Sequence, residues 1–169
     1  MPPDTGEIVN KIAALLRAEH FGNGPRAALR RMDPEKNLGQ PVLQRLLADY
    51  VPDHWLNDRG MADWGLIVHA LAVGSPGNLG GKSLGASLAQ AQYSESRLAR
   101  LLQADRAQLN DALPRACRFL VAKGEAIPPA DIAHFVLAAT GPRADAARVK
   151  IARDFYRASR HTAAIQTED

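Results

Sequence analysis

Apolar residues recur at helical spacing along most of the chain. Ile8, Ile12, Leu15 and Leu16 form one stripe, predicting a first helix from Asp4 or Thr5 to about His20, with Glu7 favourable at its positive end. Gly22-Asn23-Gly24 stops it, and Pro25 suits the first position of a short second helix, RAALRRM. After the loop DPEKNLGQP, Val42, Leu43, Leu46 and Leu47 mark another helix, followed by a connection over 51–60. In residues 62–73, Trp64, Ile67, Val68 and Leu71 stand at i, i+3, i+4 and i+7, a helical face; a buried strand over 66–68 is the alternative. GSPGNLGGKS, residues 74–83, reads as a linker between helices.

Beyond the linker, a helix beginning near Ser83 carries Leu84 and Leu88, and a break at Gln92-Tyr93 leads to Ser94, a good N-cap for SESRLARLLQ. Asp105 with Gln108 suits a further short segment. Pro114 belongs in a first turn, so Asp111 is expected to cap a helix over about 112–123 that buries Leu113, Ala116, Cys117, Leu120 and Val121. Gly124 ends it, Pro128-Pro129 opens ADIAHFVLAA, and Gly141-Pro142 separates that from a last helix over about 143–160. These elements make an all-α fold: two small helical bundles in one elongated chain, residues 1–80 and 81–160, with 161–169 a disordered tail.

Composition supports helix, being rich in Ala, Leu and Arg and poor in aromatic and β-branched residues. The single cysteine, Cys117, has no partner within the chain for a disulfide. No apolar run is long enough to span a bilayer, and MPPDTGE lacks the features of a signal peptide, so a cytoplasmic protein without membrane partners is expected. Charge is uneven: residues 1–81 hold 8 Lys+Arg against 9 Asp+Glu, and residues 82–160 hold 13 against 7. A basic second half points to a polyanionic partner.

Gly81-Lys82-Ser83 matches the end of a phosphate-binding P-loop, but the glycine required five positions before Gly81 is replaced by Pro76. Proline has no N–H to offer a phosphate, and the preceding segment reads as helix where a P-loop needs a strand. The five histidines are scattered and form no metal-ligand spacing. Cys117 lies on an apolar face, and no nucleophile elbow is present. The expectation is a protein that is not an enzyme and needs no cofactor or metal.

The cations are better organised. Lys150, Arg153, Arg157 and Arg160 follow one another at spacings of 3, 4 and 3 on the last helix. Arg97 and Arg100, and likewise Arg115 and Arg118, stand one turn apart, and Arg26, Arg30 and Arg31 share the second helix. Such faces either solvate helices or bind nucleic acid. With only nine aromatic residues, several of them expected in the core, contact with phosphates is favoured over base stacking.

NGPRAALRRM, KSLGASLAQAQYSESRLARLLQADR, ALPRACRFL and ARVKIARDFYRA, in this order over about residues 5–158, resemble the CasB family, the small subunit of the type I-E CRISPR surveillance complex Cascade. The resemblance implies a helical, non-catalytic subunit, present in two copies beside other protein subunits in a crRNA-containing ribonucleoprotein. Its basic surface would hold the single-stranded DNA displaced by guide pairing and keep the R-loop open. Carried over by position, the nucleic-acid contacts would be Arg30, Arg31, Arg97, Arg106, Arg115, Arg118, Arg148, Lys150 and Arg153. Two positions depart from the family pattern: Leu84-Gly85-Ala86 lacks the arginine usual after Leu-Gly, for which Lys82 is the nearby substitute, and Gln103 stands where a basic residue is common. A helical adaptor whose basic face meets acidic proteins is the alternative reading.

Overall fold

The computed structural model describes residues 4–139 and 141–166. Among these, nine α-helices are present: α1 Thr5–Arg17, α2 Asn23–Arg31, α3 Pro41–Tyr50, α4 Asp58–Val73, α5 Leu84–Gln90, α6 Glu95–Gln103, α7 Arg106–Ala122, α8 Pro129–Ala138 and α9 Ala144–Gln166. Local chemistry starts several of them. Asp4, Asn57, Ser83, Ser94 and Asp105 each accept a backbone N–H of the first turn they cap.

Several expected boundaries change, the first at α2, which already begins at Asn23 and so has Pro25 as its third residue. The chain turns helical at Asp58, inside the expected 51–60 connection, because Asn57 caps it. Residues 106–122 form one helix where two segments were expected. Asp105 and Gln108 make a full capping box, and Leu109, Leu113, Ala116, Cys117 and Leu120 line one buried stripe that carries the helix past Pro114. Burial along that stripe offsets the missing proline hydrogen bond, a local cost of about 3 kcal/mol. At the other end, α9 continues through Gln166 where a tail was expected from residue 161; residues 167–169 lie outside the described residues.

Residue 80 does not divide the core. α1 packs on α8, and α4 packs on both α7 and α8, so helices from both halves share one apolar cluster that includes Ile12, Leu16, Leu43, Trp64, Leu71, Leu113 and Ile132. The most extensive pairing is between α5 and α9. Gly85 makes it possible: a Cβ there would overlap the Ile151 carbonyl oxygen and stand 2.8 Å from the Phe155 nitrogen, so the two backbones touch. Leu84, Leu88, Ile151 and Phe155 are buried around that contact.

The glycine-rich linker is fastened along its length. Asn78 and Gly80 exchange backbone hydrogen bonds with Ile127, at 2.8 and 3.1 Å. Arg17 donates to the carbonyls of Gly74 and Gly77, and Arg30 donates to Ala72 O and Ser75 Oγ. Burial pushes the Arg17 guanidinium down to about 10.

Candidate nucleic-acid interface

The cations expected to meet nucleic acid fall into two groups, distinguished by what their side chains already hold. Arg30 is part-buried and committed to the end of α4. Arg106 is more deeply engaged: its Nε donates to Asp63 Oδ1 at 2.7 Å and its Nη1 to Asn110 Oδ1 at 2.7 Å. The Asp63 side chain is only 6% exposed, so Arg106 neutralises a carboxylate inside the fold. Lys150 bridges Asp154 at 3.0 Å and Asp131 at 3.4 Å, joining α9 to α8. Desolvation would raise Asp154, yet hydrogen bonds from Lys150 and Ser83 and the charges of Lys150 and Arg153 leave it below its ordinary value. Arg148 pairs with Asp145, and Arg153 stands 3.9 Å from Asp154.

The second group lies around α6 and α7. Ser94 caps α6 and Asp105 caps α7, and the two helices enclose an open groove of about 890 Å³. Arg97, Arg100 and Arg115 line it together with Tyr93 and Phe119. Arg97 lies over the Phe119 ring, 5.4 Å from its centroid, with Lys123 at 5.6 Å. Tyr93 meets Phe119 edge to face, centroids 5.1 Å apart. Arg115 is exposed and bound to Asp111 at 3.0 Å. Among the described residues, Arg97, Arg100 and Arg118 form no ion pair, so their charges are available.

Arg118 does not line the groove. It is exposed on a neighbouring face of α7, where its charge acts on His69 of α4. Burial pushes the His69 imidazole down, and Arg118 adds to the effect; the neutral ring donates from Nδ1 to the Leu29 carbonyl, 2.9 Å away. Arg31 is exposed on α2, away from this groove, and its Nε reaches its own helix at Ala27 O.

Gly81-Lys82-Ser83 has the geometry of a helix start with no phosphate cradle. A helix, α4, precedes the linker, and the first free N–H of α5, on Leu84, is taken by Asp131 Oδ2 at 2.8 Å. A carboxylate therefore occupies the place a phosphate would need. Lys82 stands 3.9 Å from Glu125.

The sequence profile of CRISPR-associated protein Cse2 matches residues 25–156, most of the chain and all of the α6–α7 groove. The chain belongs to the Cse2 family. Solved structures agree on the fold. A chain in the crystal structure of E. coli Cascade bound to a PAM-containing double-stranded DNA target is 22% identical, with a TM-score of 0.71 over 89% of this chain and 95% of that one. CasB from Thermus thermophilus is 20% identical, with a TM-score of 0.69 over 91% and 99%. A chain of a CRISPR RNA-guided surveillance complex is 21% identical, with a TM-score of 0.67 over 95% of each. No curated protein matches the sequence.

In this Cse2-family chain the groove adds residues that the sequence alone did not bring together. Arg100 was visible only by its one-turn spacing from Arg97; Tyr93 and Phe119 had no local signal, because the groove exists only once α6 folds against α7. Arg106 separates structure from binding. Arg106→Ala leaves the Asp63 carboxylate buried with the more distant Arg59, at 4.0 Å, beside it. The expected loss is about 2 kcal/mol, reduced from that of a fully buried pair because Arg106 is partly exposed. Denaturant unfolding measures it, and an unchanged midpoint would show that the pair does not support the fold.

Proposed function

We propose that this Cse2-family chain is the small subunit of a crRNA-guided Cascade complex, where it holds the DNA strand displaced by guide pairing. The reading rests above all on the α6–α7 groove, where Arg97 and Arg100 form no ion pair among the described residues. R-loop formation is a near-balanced exchange of one duplex for another, so a few added phosphate contacts on the displaced strand lengthen its life. Arg115 and Arg118 extend the basic surface along α7, and the exposed Arg31 and Arg153 are outlying contacts. Lys82 serves as the substitute for the missing arginine after Leu84-Gly85.

Arg30, Arg106 and Lys150 are assigned chiefly to holding the fold, since each ties two separate elements together, whereas Arg148 pairs with Asp145 of its own helix. The role needs no catalysis, no cofactor and no metal, and it is served by two copies of the chain lying along the ribonucleoprotein. The solved relative bound to a PAM-containing target supports placing this chain in such an assembly. Affinity purification of the tagged chain from its native cells tests it. A particle containing crRNA and further protein subunits is expected; recovery of the chain free of RNA would argue against it.

A further inference from the structure

The sequence favoured phosphate contact alone, because aromatics are few. Folding places two of the nine in the basic groove. Phe119 and Tyr93 are both only part-buried, and each presents part of its ring to the groove among Arg97, Arg100 and Arg115. The Tyr93 side chain forms no hydrogen bond among the described residues, so its hydroxyl is free to donate or accept. A phenol is already protonated at neutral pH, and burial pushes Tyr93 further in that direction.

This combination differs from a purely phosphate-binding surface. A phosphate needs cations and N–H donors; it gains nothing from an aromatic ring. A nucleobase gains from a ring to stack on, from a guanidinium plane beside it and from a hydroxyl at its edge. The open groove, at about 890 Å³, exceeds the volume of a base. Arg97, now resting over Phe119, carries the plane against which a base can lie while its N–H groups reach a phosphate.

We propose that the α6–α7 groove takes an unstacked nucleobase of single-stranded nucleic acid against Phe119 and Tyr93, with the flanking phosphates on Arg97, Arg100 and Arg115. This rests on the reading of the chain as a single-strand holder and sharpens it. The interaction is tolerant of sequence, because every base has a π-face, and it requires a strand whose bases are free of a duplex. A displaced strand meets that requirement; an intact duplex does not.

The experiment compares binding of the full-length chain to two single-stranded DNA oligomers of equal length and charge, one bearing all its bases and one carrying a central run of abasic sites. The base-bearing oligomer is expected to bind roughly ten-fold more tightly. Phe119→Leu, which keeps an apolar side chain against the core, is expected to erase that difference while leaving the salt dependence unchanged, because no cation is lost. Tyr93→Phe is expected to reduce it. In wild-type protein, quenching of 2-aminopurine fluorescence on binding reports the same stacking and does not depend on any variant folding. Equal affinity for the two oligomers with no quenching would overturn the base subsite and leave the phosphate-holding reading standing. Failure to bind either oligomer would remove that reading, and the base subsite with it.

Discussion

Gly85→Val is expected to destabilise the protein by at least about 3 kcal/mol, through overpacking at a point that cannot yield. The atoms a side chain would meet are backbone: the Ile151 carbonyl and the Phe155 nitrogen of α9. A flexible neighbour could move aside, but moving these means separating α5 from α9. That separation would expose Leu84, Leu88, Ile151 and Phe155, all buried at the contact. Domain stabilities are typically about 5–15 kcal/mol, so the loss is a large fraction of the total. Thermal unfolding followed by circular dichroism measures it. Gly85→Ala should show a smaller loss in the same direction, whereas a wild-type midpoint for the valine variant would mean that the helices are not in backbone contact.

The second large effect is on binding. Combined replacement of Arg97, Arg100 and Arg115 by glutamine removes three cations from the α6–α7 groove without touching a buried carboxylate. Each single-strand phosphate contact contributes roughly 0.7 to the slope of log affinity against log salt, so the slope should fall by about 2. At low salt this corresponds to a drop in affinity of roughly a hundred-fold or more. The loss should be similar for different sequences of equal length, because phosphates carry no base identity. Folding should be little affected, since Arg115 exchanges only an exposed pair with Asp111 on its own helix. A variant that keeps the wild-type slope would place the phosphate contacts elsewhere, Arg118 and the exposed arginines of α9 being next to test.

Much of the fold was legible because its signals are local. The caps at Asp4, Ser83 and Ser94, the break at Gln92 and the stop at Gly124 each depend on residues within one turn. Gln92 adopts a positive φ of 59° and Gly124 one of 72°, and the Glu125 N–H returns to the Leu120 carbonyl at 2.9 Å to close α7. Pro114 misled because its local preference is opposed by a stripe of buried residues on both sides, which only the assembled core rewards. The linker was legible as a connection between helices but its anchoring was not, because the Gly74 and Gly77 carbonyls are held by a single arginine, Arg17, 57 and 60 residues earlier.

The same distinction governs the site. Spacing identified arginines that share a helical face, but it could not show which of them were already engaged. The acceptors of Arg30 lie 42 and 45 residues further along the chain, and Asp63 lies 43 residues before Arg106. Arg97 and Arg115 were both legible as surface cations. Their meeting across a groove lined by Tyr93 and Phe119 is a product of how α6 packs on α7.

The central claim, that this groove holds a displaced strand, is tested most directly by the lifetime of the R-loop in a reconstituted complex. The assembly would contain either the wild-type chain or the Arg97→Gln, Arg100→Gln, Arg115→Gln variant, with equal occupancy of the subunit and equal guide loading. The R-loop should collapse faster with the variant, and the difference should shrink as salt is raised and the wild-type contacts are screened. An R-loop of the same lifetime in both complexes at low salt would contradict the account.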